Sequence, residues 1–156
     1  MQPIRILVVD DHELVRRNIC QLLAADPEFK VISEAATGAE AISKAGRYQP
    51  DVVLLDISLP ELNGFRALGP ILKVSPKSRV LMISNHDEAP FVRESLAVGA
   101  HGFLSKTELS TSLLIAVKTV YANQRFIKPL PEEAAADTSP LPSSPCDPAL
   151  GTPYSN

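Results

Sequence analysis

The chain alternates short apolar segments with longer segments whose apolar residues recur at helical spacing. Three of the short segments are almost continuous apolar runs rich in Val, Ile and Leu: IRILVV at 4–9, VVLL at 52–55 and VLMI at 80–83. Such runs are typical of parallel strands that are buried on both faces. Two weaker strand candidates follow the same alternation, KVISEA at 30–35 and GFLS at 102–105.

Five helical patterns lie between and after these strands. The first places Ile19 and Leu23 on one face, and the second opens at Thr37, with Glu40 at the spacing of a capping box. The fourth is expected from about Glu88 to Val98 with Gly99 as its stop, and the fifth from Glu108 to Asn123.

The third helical pattern, around 65–73, contains the pair Gly69-Pro70. A proline inside a helix removes one backbone hydrogen bond and clashes with the preceding turn. We therefore expect a break or a kink in this helix.

Five strand–helix units in succession predict an α/β fold with a five-stranded, doubly wound, mostly parallel sheet covered by helices on both faces. In such sheets, ligands bind outside the carboxyl ends of the strands. Polar side chains follow or end four of the predicted strands, and they should meet at this edge: Asp10, Asp11, Asp56, Ser84 and Lys106.

These residue types indicate metal-dependent phosphoryl transfer. Asp10 and Asp11 repel each other and Asp56 adds a third carboxylate, so we expect a Mg²⁺ ion, which prefers oxygen ligands, to compensate them. Asp56 is the candidate nucleophile, because carboxylates form aspartyl-phosphate intermediates. Lys106 would contact one phosphoryl oxygen and the Ser84 hydroxyl another.

Four motifs together resemble the receiver domain of two-component response regulators. They are VDD at 9–11, LLDISLPELNGF at 54–65, MISNHD at 82–87 and VGAHGFLSK at 98–106, in matching order and spacing over roughly residues 3–127. The last motif is closest in style to the subgroup that carries helix-turn-helix output domains. The resemblance implies a flavodoxin-like (βα)5 fold and phosphorylation of Asp56 by a sensor histidine kinase.

The resemblance also implies roles for individual residues. Ser84 and Phe103 would form a coupled switch pair, and the side chains of Ser58 and His86 would tune how long the phosphoryl group survives. Switching would change the partner affinity of the face made by the fourth helix, the fifth strand and the fifth helix, through which a homodimer or an output partner would bind. Four groups would surround Mg²⁺: Asp10, Asp11, Asp56 and the backbone carbonyl of Ser58.

Composition changes after residue 128. Residues 129–156 hold seven of the fourteen prolines and few large apolar residues, which predicts a disordered tail. We expect residues 1–128 to be the receiver domain and 129–156 to be a Pro-rich tail or a truncated linker without an output domain, because a helix-turn-helix needs several amphipathic helices.

Charge and hydropathy limit the partners. The formal net charge is -3 and no Lys/Arg cluster is present, which argues against direct nucleic-acid binding. The sequence shows neither a signal peptide nor an apolar run of membrane-spanning length. We expect a soluble cytoplasmic protein.

Two other functions fit parts of the pattern. A receiver-like scaffold that is never phosphorylated would not need the complete acidic set. A phosphohydrolase needs a second carboxylate just after its nucleophile as general acid and base, but Ile57 and Ser58 stand there. We therefore expect a phospho-acceptor signalling domain rather than an enzyme, limited to self-phosphorylation from small donors and self-dephosphorylation.

Overall fold

The computed structural model describes residues 2–86 and 89–128, which form a parallel six-stranded sheet with helices on both faces. The strands are β1 (Ile4–Val9), β2 (Phe29–Ala35), β3 (Val52–Asp56), β4 (Arg79–Ser84), β5 (Gly102–Ser105) and β6 (Phe126–Lys128). The helices are α1 (Glu13–Ala24), α2 (Gly38–Tyr48), α3 (Gly64–Val74), α4 (Ala89–Ala97) and α5 (Leu109–Tyr121). The strand order is β2-β1-β3-β4-β5-β6.

Alternate residues of each strand serve two separate cores. Val53 and Leu55 pack on the side of α2, α3 and α4, whereas Leu54 packs on the side of α1 and α5. Because both faces of β3 are covered by helices, apolar residues are required at every position, which explains the continuous apolar runs. The doubly wound parallel fold predicted from these runs is confirmed.

The sheet has one strand more than the five predicted. β6 pairs in parallel with β5, from Gly102 opposite Phe126 to Leu104 opposite Lys128. A Cβ at Gly102 would lie 2.6 Å from the Phe126 carbonyl oxygen, so the absence of a side chain there lets β6 approach. A strand of three residues carries too little periodicity to be recognised in the sequence.

Two predicted helix boundaries are confirmed. Thr37 caps α2, its side chain accepting a hydrogen bond from the Glu40 N–H at 3.1 Å. Glu40 reaches back one residue further than in the standard capping box and accepts from the Ala36 N–H at 2.7 Å. Gly99 follows α4 with a φ of 108°, the left-handed conformation that ends many helices.

Of the break or kink expected in the third helix, the break is wrong, since α3 continues from Gly64 to Val74 with Pro70 inside it, and the kink stays a prediction. Both Arg66 and Pro70 are exposed, so water can bind the Arg66 carbonyl that Pro70 leaves without a donor. Gly69 has no Cβ to clash with the proline ring, which makes the helical conformation less costly for the residue before Pro70.

Two further expectations concern the tail and the membrane. The predicted tail at 129–156 lies outside the described residues. Within 2–86 and 89–128, no helix combines the length and apolar character needed to cross a bilayer.

His101 ties the turn before β5 to β4. Its Nδ1 accepts a hydrogen bond from the Val80 N–H at 3.0 Å, and its backbone N–H donates to the Val80 carbonyl at 2.8 Å. Burial, followed by the charges of Arg79 and Arg125, lowers the pKa of His101 from its ordinary value of 6.5. The neutral ring is therefore the form that the fold stabilises.

We expect the domain to lose stability as the pH falls below about 6.5, because the unfolded chain then binds a proton that the folded His101 does not. The slope is at most about 1.4 kcal/mol per pH unit, and less for a ring that is partly exposed. Urea unfolding at about pH 7.5 and pH 5.5 measures it. His101→Gln should flatten the difference; an unchanged pH dependence in this variant would contradict the assignment.

Candidate functional site

The carboxyl ends of four neighbouring strands bring the predicted polar residues together. Asp10 follows β1, Asp56 ends β3, Ser84 ends β4 and Lys106 follows β5. Asp10 and Asp56 are each 1 % exposed, Ser84 is fully buried and the Lys106 side chain is 7 % exposed. Two carboxylates and one ammonium group are thus held out of water at one point of the sheet edge.

Lys106 is placed between the two buried carboxylates. Its Nζ lies 2.9 Å from Asp10 Oδ2 and 3.3 Å from Asp56 Oδ2. Burial lowers the pKa of Lys106, but the close contact with Asp10 and the charges of both carboxylates outweigh it, so the pKa is raised and the ammonium stays charged. A single cation therefore faces two carboxylates.

The surroundings of Asp56 disfavour the charged form of its carboxyl group. Burial, and then the charge of Asp10, raise the pKa of Asp56, while Lys106 and the Ser58 N–H act in the opposite direction. The Ser58 N–H donates to Asp56 Oδ1 at 3.1 Å. Among the described residues no donor reaches Asp10 Oδ2 or Asp56 Oδ2 with hydrogen-bond geometry, although Lys106 is close to both.

Asp11, whose side chain is 29% exposed, completes an acidic cluster with His12 at its edge. Asp10, Asp11, His12 and Asp56 each offer one ligand atom, and these atoms all lie within 4.8 Å of one another. Excess negative charge, buried oxygens without donors and a partly open rim suit a hard divalent cation that keeps some water. His12 was not a predicted site residue, although the triplet Asp10-Asp11-His12 contained the signal.

The remaining predicted residues lie beside this cluster. The Ser84 Oγ accepts a hydrogen bond from the His86 N–H at 2.8 Å, and the His86 ring stacks on Phe91 of α4 with ring centroids 5.0 Å apart. Phe103 is fully buried in the core on the α2–α4 side of the sheet. The switch role of Ser84 and Phe103 and the rate-tuning role of Ser58 and His86 stay predictions.

Gly64 supports the backbone of the candidate nucleophile, a contact that the sequence reasoning missed. Its N–H donates to the Ile57 carbonyl at 2.8 Å. A Cβ at Gly64 would lie 2.5 Å from the Asp56 carbonyl oxygen and 2.8 Å from the Ile57 Cα. The start of α3 can therefore pack against the end of β3 only if this position is glycine.

We expect Gly64→Ala to destabilise the domain by about 1–2 kcal/mol, because backbone atoms must shift to admit the methyl group. Urea unfolding checks this. Gly46→Ala is the matched control, since a Cβ there meets only Val74 side-chain atoms at 3.4 and 3.5 Å. Gly46→Ala should be neutral or stabilising, and equal losses in the two variants would contradict the close approach at Asp56.

Known proteins share the sequence pattern and the fold of this chain. The family model described as the response regulator receiver domain matches residues 6–118. The chain belongs to the response regulator receiver family. The match confirms the resemblance to this family that the four sequence motifs of the receiver domain had indicated.

Relatives with sequence similarity are regulators of this kind. The response regulator GacA of Pseudomonas viridiflava is 37% identical over 126 residues, which are 81% of this chain and 59% of the relative. The transcriptional regulatory protein DegU of Brevibacillus brevis is 36% identical over 126 residues, 81% of this chain and 53% of the relative. The receiver domain therefore spans between about half and three fifths of the length of these relatives.

Solved structures agree with the fold. A LuxR-family two-component response regulator from Aurantimonas sp. SI85-9A1 superposes with a TM-score of 0.79 at 29% identity, over 86% of this chain and 94% of that chain. The response regulator domain of Thermotoga maritima CheB gives 0.72 at 32% identity, over 78% of this chain and 98% of that chain. The likeness to a LuxR-family regulator agrees with the subgroup that the motif style indicated.

Proposed function

We propose that this receiver domain accepts a phosphoryl group on Asp56 from a sensor histidine kinase in a Mg²⁺-dependent reaction. The observation that carries the proposal is the buried cluster at the sheet edge, where Asp56 lies beside Asp10 and within 3.3 Å of the Lys106 ammonium. Surplus negative charge next to a fixed cation is the arrangement that an incoming phosphoryl group and a divalent ion can share.

The residues of the chain prepare Asp56 for attack. Its Oδ1 accepts from the Ser58 N–H, which fixes the carboxylate plane. Its Oδ2 is the oxygen without a well-aligned donor in the described part of the chain, so it is the one available to bond to phosphorus as the bond from phosphorus to the donor nitrogen breaks. Lys106 is close enough to Asp56 to contact an oxygen of a phosphoryl group bound there.

The acidic residues would hold the ion. Asp10, Asp11, Asp56 and the backbone carbonyl of Ser58 are the proposed ligands. When bound, Mg²⁺ neutralises charge on the transferring phosphoryl group. His12 lies beside these carboxylates without being needed for that role.

Phosphorylation would then act through Ser84. In this structure its Oγ accepts from the His86 N–H, and its hydroxyl hydrogen can turn towards a phosphoryl oxygen. We propose that Ser84 moves inward, that Phe103 fills the vacated space, and that the face of α4, β5 and α5 changes its affinity for a second copy or an output partner. β6 covers the edge of β5 and belongs to that face.

The unit that carries out this reaction is proposed to be residues 1–128, with 129–156 as a Pro-rich tail or linker. We place it in the cytoplasm, where it would meet the kinase, and propose no direct nucleic-acid contact for these residues.

Intact mass spectrometry after incubation with acetyl phosphate and Mg²⁺ tests the proposed function. We expect one added phosphoryl group, absent when a chelator removes the ion. Borohydride reduction should convert the aspartyl phosphate at position 56 to homoserine, which peptide mapping locates. A folded protein that gains no phosphoryl group would instead favour the phosphorylation-independent scaffold, and steady hydrolysis of small phosphomonoesters would favour the phosphohydrolase.

A further inference from the structure

His12 brings an imidazole nitrogen into the carboxylate cluster. Its Nδ1 lies 3.3 Å from Asp11 Oδ1 and 3.4 Å from Asp10 Oδ1. The backbone holds it there, because His12 is the N-cap residue of α1 and its N–H donates to Asp10 Oδ1 at 2.8 Å. The ring itself is largely exposed, at 62 %, so packing does not account for its position.

These separations suit two ligands of one ion better than a hydrogen bond. Ligand atoms bound at about 2.0–2.2 Å from a tetrahedral or octahedral ion lie roughly 3.0–3.5 Å apart. An N–H···O hydrogen bond ends at about 3.2 Å. Both His12 distances lie within the range for two ligands of one ion and beyond the limit for a hydrogen bond.

The cluster also carries more negative charge than its one ammonium group balances. Asp10 and Asp56 are 1 % exposed, and the Oδ2 of each receives no well-aligned hydrogen bond from any residue within 2–86 and 89–128, although Lys106 Nζ lies 2.9 and 3.3 Å away. The side chain of Asp11 is 29% exposed, which leaves a way in for a hydrated ion. One ligand atom from His12 and one from each of the three aspartates lie within 4.8 Å of one another.

We propose that His12 is a further metal ligand, and that it makes the site bind a divalent first-row transition ion more tightly than Mg²⁺. Imidazole is a favourable ligand for iron, nickel and zinc, whereas Mg²⁺ takes oxygen. The inference rests on the proposed function only because it uses the same carboxylate ligands. His12 is the additional residue that would determine which ion binds more tightly.

Calorimetric titration of the full chain with Co²⁺ and with Mg²⁺, at the same pH of about 7.5 because metal affinity depends on pH, tests the selection. His12→Gln should weaken Co²⁺ binding by about tenfold and leave Mg²⁺ binding within about twofold. Equal losses for both ions, or no loss for Co²⁺, would overturn the inference. His86→Gln is the control, since His86 is an exposed histidine outside the cluster.

Proton NMR of the Co²⁺-loaded protein gives a direct signature. A coordinated imidazole shifts its ring protons far outside the normal range, and these signals should vanish in His12→Gln and persist in His86→Gln. Their absence from the wild-type protein would overturn the inference. If Asp56 is still phosphorylated with Mg²⁺ in that case, the proposed function stands without it.

Discussion

Asp56→Asn is expected to abolish phosphoryl incorporation from acetyl phosphate and to leave the fold intact. An amide oxygen is too weak a nucleophile to bond to phosphorus, while Asn has nearly the same volume as Asp and keeps the acceptor for the Ser58 N–H. Intact mass measured beside the wild-type protein checks the result. Stoichiometric labelling of the variant would show that another residue is the acceptor.

The same substitution should stabilise the domain, by about 1 kcal/mol. Burial and Asp10 raise the pKa of Asp56, so the folded state binds its proton more tightly than the unfolded state. The wild-type domain therefore loses stability as the pH rises from about 3.8 through the folded pKa of Asp56. At neutral pH the Asp56→Asn variant has an uncharged amide and does not lose this free energy of unfolding. Urea unfolding measures it, with the exposed loop variant Glu61→Gln as the control.

Much of this architecture was predictable because a parallel sheet covered on both faces restricts which residues can occupy its strands. Strands covered on both sides must be apolar at successive positions, as at Val53, Leu54 and Leu55. Parallel strands must also direct their carboxyl ends to one edge, so Asp10, Asp56 and Lys106 had to meet once the strands were placed.

The features that escaped prediction depend on contacts between distant segments. β6 exists because Gly102 lets the Phe126 backbone approach, and α3 tolerates Pro70 because that side of the helix is exposed. The place of His12 in the cluster depends on the direction in which the chain leaves β1 and begins α1. Periodicity within one segment does not contain that information.

Lys106→Met is expected to destabilise the domain by about 2–4 kcal/mol at neutral pH. Methionine fills similar space, so the loss reports the charge. Without Lys106, the nearly fully buried carboxylates of Asp10 and Asp56 would face each other with no ammonium group between them in the described structure. Urea unfolding in the presence of a chelator measures the loss, and lowering the pH should shrink it, because Asp56 can then take up a proton.

Adding Asp10→Asn to Lys106→Met separates charge from packing. If repulsion between the two carboxylates causes the loss, removing one of them should restore more than half of the lost free energy of unfolding, and the double-mutant cycle should show strong coupling. Additive losses would mean that repulsion between the carboxylates of Asp10 and Asp56 does not cause the loss in Lys106→Met. Mg²⁺ should also stabilise Lys106→Met more than the wild-type domain, since the ion then supplies the positive charge between Asp10 and Asp56 that the lysine supplied before.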